Sequence, residues 1–486
     1  MRSFSSTVLA TLGLVIGSYS YGQAQTATGS ETVWTLQQSV DHAVKNNLQI
    51  RQSGLAVDRA AVDVKQARFE QLPSLSGSAS HGFNNGFFLD PARNELQNTQ
   101  SWTGGANISG QLNLFSGLQN TNTIKRNKLD LQATQLDQQK AQNDVVLSVV
   151  TAFMQVLLNQ ELLKTNQERV KLTQSQLERT QKLFKAGSVP ESNVLDLNAQ
   201  MASDELNIIT AQNNIELAEL RLIQLLNLEN ASPANFSIAI PTIPDPDQSV
   251  INFSPQEVYQ SAEQVMPEIK RANVRLESAM RSVEIARGGY LPSLSLVGNI
   301  STRYSSRSSL IDLSSVRMES QTVGFVGGNP NQPVTAFFPT YSAADYPYID
   351  QFKDNIGEYI GLSLNVPILN AFRVRNNVQL SRIGVQNAQL NAEIAKNDLQ
   401  QTIAQSYTDA VGAQRRFVAA KRQLEAFEQA YKNAEIRLNN GLINNVDFNV
   451  ARNNLVKAQS DIIQAKYDYT FKLKILEFYQ GKTITL

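Results

Sequence analysis

Apolar residues recur along this chain with two different periods. From Asn107 to Leu114, Ile108, Gly110, Leu112 and Leu114 alternate with Asn107, Ser109, Gln111 and Asn113. The alternation returns in Leu294, Leu296, Gly298 and Ile300, with Val297 as the exception, and in Ile360, Leu362, Leu364 and Val366. A period of two, with one apolar face and one of Ser, Asn, Gly and Gln, predicts β-strands. Elsewhere the step is seven: Val149, Val156, Leu163, Val170, Leu177 and Phe184, and again Ile403, Ala410, Phe417, Leu424, Tyr431 and Leu438. Val194, Met201, Ile208, Ile215 and Leu222 repeat it, as do Phe448, Leu455, Ile462, Tyr469 and Leu476. A sustained heptad predicts helices packed in a supercoil. The second seam position is often small or polar (Ala152, Asn159, Asn166, Thr173), which predicts side-by-side helices with narrow seams and a wet face left over. No proline occurs between Pro91 and Pro190, so a helix from Leu118 to Lys185 would reach about 100 Å.

The pattern is written twice. Trp34-Thr35-Leu36 falls on Phe253-Ser254-Pro255, and the same offset of 219 places Leu72-Pro73-Ser74-Leu75-Ser76 on Leu291-Pro292-Ser293-Leu294-Ser295. Beyond the strands the offset becomes 254, with Leu114-Phe115 on Ile368-Leu369 and Gly187 on Gly441. Residues 33–230 therefore form one repeat and 253–480 a second, joined by a proline-rich extended connection over 231–252. Each repeat reads as helix, strand, strand, long helix, turn, long helix. The first helix is expected over Leu36–Glu70 and again over Gln256–Arg287, each stopped by Leu-Pro. The extra length of the second repeat lies around 303–349, rich in Ser, Gly, Pro and Tyr, as expected of a long exposed loop. Residues 1–24 read as a secretory signal: Arg2, the short apolar run Val8–Ile16, then Gly22 and Ala24 as small residues for cleavage.

Composition narrows the chemistry. Lys+Arg and Asp+Glu are 43 each, which argues against nucleic-acid binding. There is no cysteine, so disulfides, thiolate metal sites and cysteine nucleophiles are excluded. The two histidines, His42 and His81, are far apart in the sequence and do not suggest a metal pair. No nucleophile–base set points to an enzyme, and no cofactor is called for. No stretch approaches 18 unbroken apolar residues, so any membrane contact is expected without a transmembrane helix. Two strands per repeat give four per chain, too few to close a barrel, and a membrane barrel needs at least about eight strands with no open edge. The fold class that follows is a mixed α and β membrane protein whose barrel is completed by oligomerisation. A soluble β-sandwich is the competing reading of the strands. Phe83, Phe87, Phe88, Trp102, Tyr304 and Tyr359 are candidates for an interfacial aromatic belt.

The duplicated helix, Leu-Pro-Ser-Leu-Ser, the strand pair ending near Phe115-Ser116-Gly117 and the long hairpin with glycine at its tip together resemble the TolC-type outer membrane efflux proteins. The resemblance covers essentially the whole chain after the signal. It implies a homotrimer with a twelve-stranded β-barrel in outer-membrane lipid and an α-helical barrel crossing the periplasm. It implies an exit duct for efflux or type I secretion, joined to an inner-membrane pump by a periplasmic adaptor. A periplasmic coiled-coil adaptor or scaffold without a barrel is the alternative. The resemblance also assigns roles. The turns Ala186-Gly187-Ser188 and Asn440-Gly441-Leu442 would be the tips that meet the adaptor. Carboxylates six and nine residues past a tip glycine would ring the periplasmic mouth, which selects Asp447 and Asp196, with the uncharged Asn193 and Val450 as their counterparts. Helix capping is the other reading of both aspartates. Leu369-Asn370-Ala371 replaces the family's aromatic-Asx-Gly, with Ala371 expected to end the strand as well as glycine would.

Overall fold

The computed structural model describes residues 33–90, 95–229, 231–241, 251–482 and 484; the expected signal segment lies outside them. Strand β1 (Val33–Trp34) leads into α1 (Leu36–Asn46), opened by a capping box between Thr35 and Gln38. In the second repeat α5 (Pro255–Val265) begins with the same device, Ser254 with Glu257. Neither first helix is continuous, contrary to the single helices expected over Leu36–Glu70 and Gln256–Arg287. Asn47 (ψ 131°) separates α1 from α2 (Leu48–Phe69), and Met266 (ψ 129°) separates α5 from α6 (Pro267–Gly288). Pro267 forces its predecessor out of the helical region. Asn47 reaches the same geometry without proline because its Oδ1 accepts from Gln49 N at 2.9 Å and so caps the new helix.

Strands β2 (Ser74–Asp90) and β3 (Glu95–Ser116) follow α2, and β5 (Ser293–Ser305) follows α6. With β8 (Gly357–Asn365) they form one antiparallel sheet in the order β2-β3-β5-β8. Its first and last strands have open edges. Register places Leu75, Ile108, Ile300, Leu296, Ile360 and Leu362 on one face. Ser76, Ser109, Asn107, Asn299 and Ser363 fall on the other, where the Ser76 and Ser109 hydroxyls lie 3.0 Å apart and Ser295 Oγ donates to Asn113 Oδ1 at 3.0 Å.

The segment expected as a long loop is folded. It contains a separate two-stranded hairpin, β6 (Ser309–Phe325) with β7 (Pro333–Asp345), and a short helix α7 (Tyr348–Asp354). Two shifts of register, between Asp312 and Arg317 and between Thr322 and Gly324, break the alternation that would have revealed the strands. In the connection between the repeats, a 3-10 turn (Pro233–Asn235) precedes β4 (Ser237–Ile238), which pairs in parallel with β1.

The long helices match at the offset of 254: α3 (Gln119–Lys185) residue for residue with α8 (Arg373–Asn439), and α4 (Glu191–Leu226) to within one residue at the end with α9 (Asn445–Tyr479). At 67 residues, α3 and α8 are each about 100 Å long. Both start from two successive left-handed residues, Gly117 (φ 62°) and Leu118 (φ 64°), then Ala371 (φ 50°) and Phe372 (φ 59°). Alanine is therefore not an ordinary strand terminator at 371. It holds a conformation that costs an L-residue about 1–2 kcal/mol. At 117 only glycine fits, because a Cβ would lie 2.3 Å from the Gly288 carbonyl oxygen.

Every heptad position named above is buried or half-buried except Phe184. The main core gathers α1, α3, α4, β1 and β4 around Ala43, Val149, Phe153, Val156, Leu222 and Leu226. Among the described residues, α3 alone holds an 18-residue stretch apolar enough to cross a bilayer. Its apolar run from Val145 to Leu157 fills this core, which accounts for the composition without a membrane.

Candidate functional site

The two ends of the helical hairpins are built alike. Ala186 caps α3, Gly187 takes φ 76°, Gly187 N donates to Phe184 O and Ser188 N to Leu183 O, both at 2.8 Å. Asn440 caps α8, Gly441 takes φ 66°, Gly441 N donates to Leu438 O at 3.0 Å and Leu442 N to Arg437 O at 2.8 Å. Both are Schellman endings, which need a left-handed residue at this place. All six tip residues are exposed, and a Cβ added at either glycine would meet nothing within 4 Å. The tips are thus two equivalent, unobstructed turns at matching levels.

The carboxylates past the tips are not caps. Asn444 caps α9, its Oδ1 accepting from Asp447 N at 2.8 Å, so Asp447 stands in the first turn with its side chain exposed. Asp196 lies in the second turn of α4, beyond the cap Pro190, and is also exposed. Its capping role is excluded by position. Asn193 is half-buried, its N–H donating to Pro190 O at 3.2 Å. No side chain among the described residues bonds either carboxylate, and no contact joins Asp196 to Asp447.

A polar network that the seam pattern did not reveal lies beneath the tips. Asp204 and Arg452 are each 1% exposed. Asp204 accepts from Arg169 Nε at 2.7 Å and from Arg169 Nη2, from Thr173 Oγ1 at 2.6 Å and from Gln200 Nε2 at 2.7 Å. Arg452 of α9 reaches across to the first hairpin. Its Nη2 lies 3.6 Å from Asp204 Oδ2, and its Nη1 donates to Thr173 Oγ1 at 3.1 Å and to Gln176 Oε1 at 3.4 Å. Gln176 Nε2 in turn donates to the Tyr431 hydroxyl of α8 at 3.4 Å. All four long helices meet here, roughly 15–27 Å from the tips at about 1.5 Å per residue. Burial pushes the Asp204 carboxyl up, but the hydrogen bonds from Arg169, Thr173 and Gln200 and the Arg169 charge outweigh it, leaving the group below its ordinary value.

The polar seam residues are part of the same system and lie in the narrow seam between α3 and α4, as the heptad pattern had suggested. Asn159 Nδ2 donates to Asn214 O at 2.9 Å, Asn166 Nδ2 to Asn207 O at 3.5 Å, and Thr173 to Asp204. At steps of seven they tie α3 to α4, and none is exposed. A signal was present, since Asp204 stands seven residues from Leu197 and Ala211, inside the buried stripe of α4. Its partner Arg452 lies 248 positions away, beyond any local pattern.

At the sheet, His81 stacks with Trp102 at 5.5 Å and Tyr304 at 6.1 Å, and Phe83 and Tyr348 complete the cluster. His42 lies edge-on to Trp34 at 5.1 Å. Phe83, Phe87, Trp102 and Tyr304 share the apolar face by register, whereas Tyr359 pairs with Asn299 on the polar one and leaves the expected belt. The Phe88 side chain lies outside the described residues. Among the described residues, no group of three His, Asp or Glu side chains could hold a metal ion.

An amphipathic sheet with open edges, joined to two equal helical hairpins, is the shape of a channel wall segment. The sequence profile of the outer membrane efflux protein family matches residues 40–228 and 258–482, one stretch in each repeat. The chain belongs to that family. Among relatives, the toxin and drug export protein A of Aggregatibacter actinomycetemcomitans is 24% identical over 445 residues, spanning 89% of this chain and 83% of that protein. The outer membrane protein TolC of Escherichia coli is 22% identical over 444 residues, spanning 89% and 79%. The outer membrane protein VceC of Vibrio cholerae has the same fold, with a TM-score of 0.69 at 16% identity over 92% of this chain and 96% of that one. This outer membrane efflux protein accordingly serves efflux as a channel of the cell outer membrane, its sheet in the membrane and its helices in the periplasm.

Proposed function

We propose that three copies of this chain close a twelve-stranded barrel and a helical duct, and that the duct passively conducts substrates delivered by an inner-membrane pump through a periplasmic adaptor. The observation that carries this reading is the sheet. Four strands with two open edges, an apolar face and a Ser/Asn face cannot remain as they are in lipid, and a ring of copies leaves no edge unpaired. The apolar face, where Leu75 and Ile360 are both 78% exposed, suits hydrocarbon. The polar face suits a wet lumen. A scaffold without a barrel would have no use for such a sheet.

The tips supply the adaptor contact, with Ala186, Gly187, Ser188, Asn440, Gly441 and Leu442 as its docking residues. Asp447, and less strongly Asp196 and Asn193, line the periplasmic constriction, where repeated carboxylates would attract cations and raise one another's pKa. The buried network of Asp204 and Arg452 fixes the angle between the two hairpins and so the aperture. Single-channel recording from the purified protein in a planar bilayer tests the reading. Discrete steps of conductance are expected; their absence from correctly folded protein would refute it.

A further inference from the structure

Strand pairing stops at different heights across the sheet. β2 and β3 stay paired from Ser74–Gln111 to Asp90–Glu95, but β5 follows β3 only as far as Thr103–Ser305. One more step joins Ser306 N to Trp102 O at 2.9 Å, and β8 stops lower still, at Gly357–Ser301. The outer part of the β2–β3 hairpin is therefore an overhang with two bare edges. In a ring of copies, β8 is the neighbour of the next copy's β2. β8 has 9 residues against the 17 of β2, so at least eight β2 residues would stay uncovered at the outer end.

The β6–β7 hairpin shows the complementary deficit. It makes a sheet of its own with both edges open, and Leu313 (72% exposed), Phe337 (65%), Ile311 (62%) and Met318 (60%) stand in solvent. Two strands alone are marginal in water, and bare edges are templates for pairing. The root of this hairpin is held firmly. Gln351 of α7 is 1% exposed; its Oε1 accepts from Ser305 N at 2.9 Å and its Nε2 donates to Tyr346 O at 2.7 Å. Thr302 Oγ1 donates to Phe352 O at 2.7 Å, and Asn355 Nδ2 to Arg303 O at 2.9 Å. The hairpin is thus anchored over the outer ends of β5 and β8. On the ring its base lies between its own copy's overhang and that of the next copy, and β7, leading through α7 into β8, is the strand on the neighbour's side.

We propose that β7 of one copy pairs with the outer part of β2, Phe83–Asp90, of the next, continuing the barrel seam into a second tier of strands around the external mouth. The occupant of the open edge is a second copy of this chain. The chain direction fits: β7 returns toward the membrane while β2 leaves it, the antiparallel arrangement of the barrel seam below. Pairing would also cover Phe87, 72% exposed in one chain. The inference rests on the ring of copies proposed above.

The absence of cysteine makes the test clean. Phe87→Cys is combined in turn with Thr340→Cys, Tyr341→Cys and Ser342→Cys, three consecutive positions so that one faces the partner strand. The membranes are oxidised and resolved on non-reducing gels. A disulfide needs Cβ atoms about 4 Å apart, so only true neighbours react. A control pairs Ser78→Cys with Gly361→Cys, Leu362→Cys or Ser363→Cys at the barrel seam. The expected result is a shift from monomer to dimer and trimer bands in both sets, dependent on both cysteines. Crosslinking at the seam but at none of the three β7 positions would overturn the second tier and leave the ring standing. Failure of both sets in folded protein would overturn the ring and the second tier with it. As a second measurement, replacing residues 309–345 by a short Gly-Ser linker should lower the temperature at which the oligomer dissociates in detergent; no change would contradict the pairing.

Discussion

Removing one member of the buried network should have very unequal consequences according to which member is lost. Arg452 stays charged at any physiological pH. Its Nη2, 3.6 Å from Asp204 Oδ2, gains about 4–5 kcal/mol of attraction at an effective dielectric of about 20, against a desolvation cost of several kcal/mol. Among the described residues Arg452 Nε and Nη2 also find no hydrogen-bond partner, so the side chain is incompletely compensated. Arg452→Met should therefore cost folding about 1 kcal/mol or less, because Asp204 keeps Arg169, Thr173 and Gln200. Asp204→Asn leaves two guanidinium groups facing each other without the carboxylate and should cost about 3–5 kcal/mol. The double variant should recover part of that loss, with a coupling of about 1–3 kcal/mol. Thermal dissociation in detergent gives the stabilities, and bilayer recording gives the aperture. Arg452→Met should show near-native stability with larger or more frequent openings, since α9 is released from α3. A strongly destabilised Arg452→Met beside a benign Asp204→Asn would refute the reasoning. The lowered pKa of Asp204 means that its contribution is present above the ordinary carboxyl range and is lost only as pH falls below it, so moving from pH 7.5 to 5 should not release this tie.

Burial, with Glu216 nearby, pushes Glu219 up to about 7, so its protonated form favours the fold; stability should be fullest below about pH 4.5 and fall as pH rises through 7. Glu219→Gln should then raise thermal stability by up to about 3 kcal/mol at pH 8 and leave it nearly unchanged at pH 4.5, read as melting temperature at the two pH values. Ala371→Gly should stabilise by about 1 kcal/mol because position 371 is left-handed, whereas Gly117→Ala should destabilise severely against the Gly288 carbonyl; chemical denaturation in detergent separates them. Gly187→Glu or Gly441→Glu should abolish export while the oligomer still assembles, since a side chain at either tip meets only open space at the cost of a strained φ. Asp447→Asn should weaken cation preference in bilayer recordings with little change in stability, and Asp196→Asn should do so more weakly; unchanged selectivity in the double variant would remove both from the constriction.

Much of this architecture was legible in the sequence because it is periodic and stated twice. The heptads named the packed faces of all four long helices, and Leu72-Pro73 and Leu291-Pro292 marked the ends of helices before strands. What escaped was decided by single residues or by distant ones. A proline advertises the break at Met266, but the break at Asn47 depends on one side-chain cap. Asn159, Asn166 and Thr173 could be placed in a seam by their spacing, but their partners Asn214, Asn207 and Asp204 on α4 could not, because no local pattern pairs two helices. The hairpin inserted in the second repeat hid behind two register shifts. Asp447 and Asp196 could be selected from spacing, but the same spacing suited a helix cap, and only the structure shows that the caps are Asn444 and Pro190 instead.

The central claim, that the open sheet is one third of a closed barrel, is tested most directly by the mass of the purified protein in detergent. Native mass spectrometry of the chain extracted from outer membranes should give three copies of the mature chain and retain that mass on dilution. A stable single chain, or a protein released from the membrane fraction without detergent, would contradict it.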